Sequence, residues 1–116
     1  MTYKTTHSLT HSFDVKIAAK YKDAMLAIMI HHLQYWIMHN KILNRNQNED
    51  RTWMYNTLEE FAAHFEYLSK DQVKRLLNKA VRLGIIRKGN FNESKMDRTV
   101  WYAFENEEEF LNGENQ

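Results

Sequence analysis

Cysteine is absent from this 116-residue chain and glycine occurs only three times. Without thiols, disulfides and thiolate metal centres are excluded. Three glycines leave too little for the glycine-rich loops that cradle phosphates, and no nucleophile elbow, P-loop, dinucleotide fingerprint or metalloprotease motif occurs anywhere. A non-enzymatic chain without a cofactor is therefore expected. Long apolar runs are missing as well. Ala24–Ile30 is followed at once by His31 and His32, well short of the roughly 18 uncharged residues of a membrane span. Met1–Ser12 carries one lysine and no apolar stretch, so no secretory leader is expected and the cytoplasm is the expected compartment. What is present, 43% hydrophobic and 13% aromatic residues, suffices for one core of ordinary size and predicts a single domain.

Charge is even in total, with a formal net of +1, but uneven along the chain. Residues 69–88 hold seven bases (Lys70, Lys74, Arg75, Lys79, Arg82, Arg87, Lys88) against one acid, Asp71. At about 100° per residue, Val73, Leu76, Leu77 and Ala80 share one helical arc, and Asp71, Lys74, Arg75, Asn78, Lys79 and Arg82 the opposite one. Such a helix buries one side and offers the other to an anion. Ser69 with Gln72 spells a capping box at its start, and Gly84 sits where a helix ends in the left-handed conformation. Upstream, Thr57 with Glu60 spells a second capping box, opening a helix over Leu58–Phe65, and Glu66-Tyr67-Leu68 makes a short turn. Downstream, Ile85–Lys88 and Val100–Phe104 are β-branched and aromatic runs separated by the polar stretch 89–99, which predicts a two-stranded hairpin with a long tip.

Helix, turn, basic helix and hairpin, in that order, describe a winged helix-turn-helix. The ordered set Trp53-Met54-Tyr55-Asn56-Thr57, Phe65-Glu66-Tyr67-Leu68-Ser69, Gln72-Val73-Lys74-Arg75, Leu83-Gly84-Ile85-Ile86 and Asp97-Arg98-Thr99-Val100-Trp101-Tyr102 resembles the winged-helix domain of phage and plasmid replication initiators, including DnaD-like replisome organisers. The resemblance covers residues 13–104. It implies DNA binding at an origin or replication fork; such initiators usually carry a further C-terminal domain, a departure that leaves a fragment and a stand-alone relative with a different task as the two expectations.

The expected fold is thus α+β and mainly helical, with a long N-terminal helix and a C-terminal β-wing of two to three strands. Residues 1–12 are expected to form a flexible arm, 13–104 the winged-helix domain, and 105–116 an acidic tail or linker. Asp23–Leu43 is one continuous helical pattern. Met25, Leu26, Met29, Ile30, Leu33, Trp36 and Ile37 form its core-facing stripe, and Ile28, Tyr35, Met38 and Ile42 a second stripe. His31, His32 and His39 lie beside that second stripe. Its cover is expected from the N-terminal arm, a short helix over Asp14–Tyr21, or a second subunit, which makes a homodimer through the 23–43 helix a candidate. Asn44–Arg51 is polar and aperiodic and is expected to be a mobile loop whose arginines are solvated. Glu105–Gln116 carries five acids and no base. A short helix over Glu107–Leu111, with Phe110 and Leu111 reaching the body, fits it; the segment as a whole reads as a solvating tail or the start of a linker, or, more sharply, as a competitor for the basic face.

A B-DNA major groove admits an α-helix, and in winged helices the hairpin tip lies along the adjacent backbone or minor groove. On this basis Lys70, Lys74, Lys79 and Arg82 are expected on phosphates, and Arg75 and Asn78 on base edges, Arg suiting guanine and Asn adenine. Lys95 and Arg98 belong to the wing, where Glu93 and Asp97 cancel their charge and predict weak contact. Arg98 has a competing role in a local ion pair or turn. Six histidines, including the pairs His7/His11 and His31/His39, lack the third ligand and rigid frame a metal needs, and are expected to be partly exposed helical residues. Tyr55 and Tyr102 are expected as aromatic packing rather than strand-cleaving nucleophiles. Trp53, Trp101 and Tyr102 are expected to seal the hairpin rather than stack on single-stranded DNA. The function expected is double-stranded DNA binding in replication initiation of a phage, plasmid or mobile element. The alternatives are a self-associating or helicase- or loader-recruiting replisome module, and a transcriptional repressor.

Overall fold

Local signals in the sequence set most element boundaries in the computed structural model, which describes residues 10–111. Asp14 caps helix α1 (Val15–Tyr21), its carboxylate accepting from the amides of Lys16 and Ile17. Asp23 caps α2 (Ala24–Ile42) by accepting from the Leu26 amide. Side-chain oxygens at these positions satisfy amides that the first helical turn leaves without partners. The Thr57–Glu60 and Ser69–Gln72 capping boxes both form, opening α3 (Leu58–Ala63) and α4 (Lys70–Arg82). Helix α3 ends two residues earlier than expected, at a turn in which the Phe65 amide bonds the Ala62 carbonyl. Gly84 follows α4 at φ +76°, where a side chain would be strained.

Three antiparallel strands pack beside these helices in the order β3 (Met54–Asn56), β5 (Val100–Phe104), β4 (Ile86–Gly89). The register pairs Tyr55 with Trp101 and Lys88 with Tyr102. Side chains alternate along β5. Tyr102 and Phe104 join the main core with Leu26, Met29, Ile30, Leu33, Ile37, Phe61, Phe65 and Leu77, while Trp101 and Ala103 join a smaller cluster with Trp53 and Phe91. Gly89 lies against that cluster so closely that a Cβ would meet the Trp53 ring at 2.7 Å. Helix makes up about 49% of the described residues and strand 16%, so the fold is α+β and mainly helical. Among the described residues no helix is long and apolar enough to cross a membrane.

Three expectations change. The segment 44–51 is not an open loop. β1 (Gln47–Asn48) and β2 (Arg51–Thr52) form a separate two-stranded sheet, whose turn holds Glu49 and Asp50 at φ 53° and 60°. Arg51 donates to the carbonyls of Phe104 and Glu105 at 2.6 and 3.1 Å and is thereby tied to the sheet. Within residues 105–111 the expected short helix forms with Phe110 and Leu111 on the body, and this packing replaces a solvating tail. In α5 (Glu107–Leu111), Phe110 and Leu111 are buried, Phe110 stacks on Phe104 with ring centres 4.9 Å apart, and Gln34 donates to the Phe110 carbonyl. The arm is attached at its inner end. His11 packs on Phe65 with ring centres 4.6 Å apart and bonds the Tyr67 hydroxyl at 2.8 Å, while residues 1–9 and His7 lie outside the described residues.

The long helix distributes its stripes as expected, with two exceptions. Leu26, Met29, Ile30, Leu33 and Ile37 are buried, and Tyr35 and Ile42 stay 61% and 75% exposed. Met25 and Trp36 are only partly covered. His32, expected to be partly exposed, is buried between Phe61, Phe65, His11 and His64, and its Nε2 has no hydrogen-bond partner among the described residues. Burial, followed by the charges of His64, His11 and His31, pushes its pKa down to about 4.

Candidate nucleic-acid interface

The outward arc of α4, the tip of the β4–β5 hairpin and the start of α3 border one groove of about 370 Å³. Lys74 and Asn78 line it from α4, Lys88 from β4, Arg98 and Thr99 from the tip, and Asn56 from β3. Leu77 and Val100 are among its apolar lining residues. Helical periodicity explains the α4 side. Val73, Leu77 and Ala80 are buried, which leaves Lys74, Arg75 and Arg82 exposed. Strand periodicity explains Lys88, which shares a face of β4 with the buried Ile86 and so projects toward α4 rather than away from it. Its ammonium lies 3.3 Å from the Asn78 amide oxygen.

The eight residues expected at the site do not behave alike. Lys74, Arg75 and Arg82 are exposed and make no ion pair or hydrogen bond among the described residues; Lys95 and Arg98 on the tip are likewise unpaired. Asn78 is half-buried at the groove, accepting from Lys88, instead of standing at the centre of the exposed arc. Lys70 pairs with Glu59 at 3.2 Å, in a surface contact easily exchanged for another anion. Lys79 turns away altogether. Its ammonium lies 2.5 Å from the Asp23 carboxylate, tying α4 to the N-cap of α2. Burial pushes Asp23 up, but the Lys79 hydrogen bond, the Leu26 amide, the Lys79 charge and the Met25 amide outweigh it, and the carboxyl lies below its ordinary value. Lys79 thus fastens α4 to the start of α2 in the structure, where a free position on the exposed arc was expected.

Of the two readings for Arg98, the local one goes to its neighbour. Asp97 accepts from the Thr99 amide at 2.9 Å, and Arg98 stays free. The tip is held instead by Asn92, a residue the sequence did not single out. Its amide donates to the carbonyls of Asp97 and Thr99 and accepts from the Trp101 indole at 2.7 Å. Trp53, Trp101 and Tyr102 are buried as expected. Tyr55, expected in the packing, is 48% exposed, with its ring 4.6 Å from that of Trp101.

Acids of the C-terminal segment face elsewhere. Glu105 binds Arg87, Glu107 lies near Lys41 and accepts from the Thr52 amide, and Glu109 lies near Lys20. Lys20, Lys41 and Thr52 lie outside α4, and Arg87, one of the seven bases of 69–88, lies on β4, so these three acids leave the outward arc of α4 uncovered; Glu114 lies outside the described residues. Lys88 is the site residue that sequence reasoning missed. The alternation starting at the buried Ile86 was the signal that places it. Compared with protein-family models, curated proteins and solved structures, the chain has no match.

Proposed function

We propose that this chain is a double-stranded DNA-binding domain, with α4 in the major groove and the β4–β5 hairpin beside it. More particularly, it is a winged helix-turn-helix in which α3 and α4 form the turn motif and residues 90–99 the wing, serving replication initiation of a phage, plasmid or mobile element. The observation that carries the first step is the set of six cations without an acidic partner on α4 and the β4–β5 hairpin, Lys74, Arg75, Arg82, Lys88, Lys95 and Arg98, of which Lys74, Lys88 and Arg98 line one groove. Five other cations, Lys20, Lys41, Lys70, Lys79 and Arg87, meet carboxylates, and solubility alone does not call for leaving these six together without one. A polyanion supplies the missing partner. The replication role is supported by the sequence resemblance alone.

Arg75 is the base-reading candidate and the other five are phosphate contacts. A salt titration of duplex binding, followed by fluorescence anisotropy, should then give a log–log slope of about −4 to −5. A slope near zero, or no binding at low salt, removes the assignment.

A second reading is supported by the outer face of α2, where Tyr35 and Ile42, seven residues apart, stay exposed beside Leu43. That stripe favours self-association into a homodimer, or docking of a helicase or loader. Light scattering at micromolar concentration distinguishes a dimer from a monomer.

A further inference from the structure

Met96 is 86% exposed, the most exposed of the large hydrophobic side chains among the described residues, and it sits at the apex of the hairpin tip. The tip is not a loose loop. The Asp97 amide bonds the Ser94 carbonyl at 3.2 Å, closing a four-residue turn with Lys95 and Met96 as its two central residues. The Met96 amide is held by the Ser94 hydroxyl at 3.1 Å, and the Thr99 amide by the Asp97 carboxylate. Asn92 ties this turn to the Trp101 indole. The chain therefore fixes a turn whose exposed centre carries one thioether beside an unpaired lysine, with the unpaired Arg98 two residues on. Glu93 accompanies them, so charge alone gives the tip little attraction for DNA.

Resting on the duplex-binding reading above, we propose that Met96 is an insertion wedge: it enters the minor groove next to the α4 site and parts one base step, kinking the duplex. The minor groove is about 6 Å wide, too narrow for a hairpin body but wide enough for a single unbranched side chain. Methionine has no branch at Cβ and a soft, polarisable end that adapts to an irregular gap. Architectural proteins use residues of this type to unstack a step and bend DNA by roughly 20–90°. Lys95 and Arg98 flank the wedge and meet the phosphates at the groove edges. A flexible pyrimidine–purine step is the chemistry that accommodates it best.

The test uses the full chain and an A·T-rich duplex of known sequence, carrying 2-aminopurine at a central TA step and a donor–acceptor pair at its ends. Anisotropy first reports binding. On binding, 2-aminopurine emission should rise several-fold and end-to-end transfer should increase. Met96→Ala should lose both signals at saturation while its affinity falls only several-fold. Met96→Leu should keep both. Lys95→Ala should weaken binding with the signals at saturation unchanged. The position is exposed, so all three variants should melt as the unaltered chain does. Binding without a change in emission or transfer overturns the wedge while leaving the duplex-binding reading standing, and so does a Met96→Ala variant that unstacks and bends DNA normally. Absence of anisotropy change on any duplex overturns both. Retained DNA signals in Met96→Ala together with loss of a protein–protein contact would assign Met96 to a protein partner and overturn the wedge.

Discussion

The face carrying α4 and the hairpin tip treats charge differently from the face carrying α1, α5 and the ends of α2. On the second, cations meet carboxylates: Lys20 with Glu109, Lys41 with Glu107, and, at the sheet edge, Arg87 with Glu105. On the first, Lys74, Arg75, Arg82, Lys95 and Arg98 meet none. Acids are present on the first face as well, where Glu59 meets Lys70 and Asp97 lines the groove, but none of them forms an ion pair with these five cations. A net charge of +1 therefore conceals a polarised molecule, and the polarity, rather than the total, is what bears on a polyanionic partner.

The sharpest way to break this contrast is to neutralise the free cations together. Lys74→Gln, Arg75→Gln and Arg82→Gln combined should lower duplex affinity by about two orders of magnitude and flatten the salt slope by about 2–3, with the thermal melt unchanged. Equal losses from Lys20→Gln and Lys41→Gln on the opposite face would show that overall charge matters and position does not.

The histidine pocket supplies the next largest effect. His32 is held near pKa 4, against an ordinary value of 6.5, so the unfolded chain binds the proton more readily. Its contribution is complete above about pH 6.5 and is lost as the pH falls from there toward 4, up to about 3 kcal/mol in all. Urea denaturation at pH 7 and pH 4.5 should show this loss, and His32→Leu should reduce it. DNA affinity measured at pH 7 should be indifferent to the same change, which separates the two regions again.

Gly89→Ala should cost about 1–3 kcal/mol in urea denaturation, because the added methyl meets the Trp53 ring, itself buried under the hairpin. The smallest effect of the series is the most discriminating. Lys79→Ala should cost about 1 kcal/mol of stability by leaving Asp23 without its partner, and should leave the salt slope of DNA binding as it was. A loss of affinity equal on all sequences, with stability intact, would return Lys79 to the free face.

How much of this was legible in the sequence depended on the range of the interaction. Capping boxes act over three residues, and both formed at the positions spelled. The α2 and α4 stripes repeat within a turn or two, and they located the core correctly apart from Met25, Trp36 and Leu76, which are only partly covered. The β1–β2 hairpin escaped notice because Glu49-Asp50 occupies the left-handed turn positions, where asparagine and glycine are the usual signal. The Lys79–Asp23 contact spans 56 residues, and nothing in the periodicity of either helix distinguishes that lysine from Lys74 or Arg82. The histidine cluster draws His11, His32 and His64 from three separate segments, so neither spacing nor composition revealed that His32 would be enclosed. At the candidate site, the cationic arc of α4 was readable, while the division into tethered and free cations required the fold.

Phe110 and Leu111 sit inside the same apolar interior as Phe104 and Ile37. A fragment trimmed after the last strand would therefore not be a tidier version of the domain. It would uncap the hydrophobic centre, leave Thr52 without the carboxylate its amide meets, and put Phe104 in water. Any excision of the half that carries α4 and the hairpin has to bring the five residues of α5 along, although none of them lines the groove.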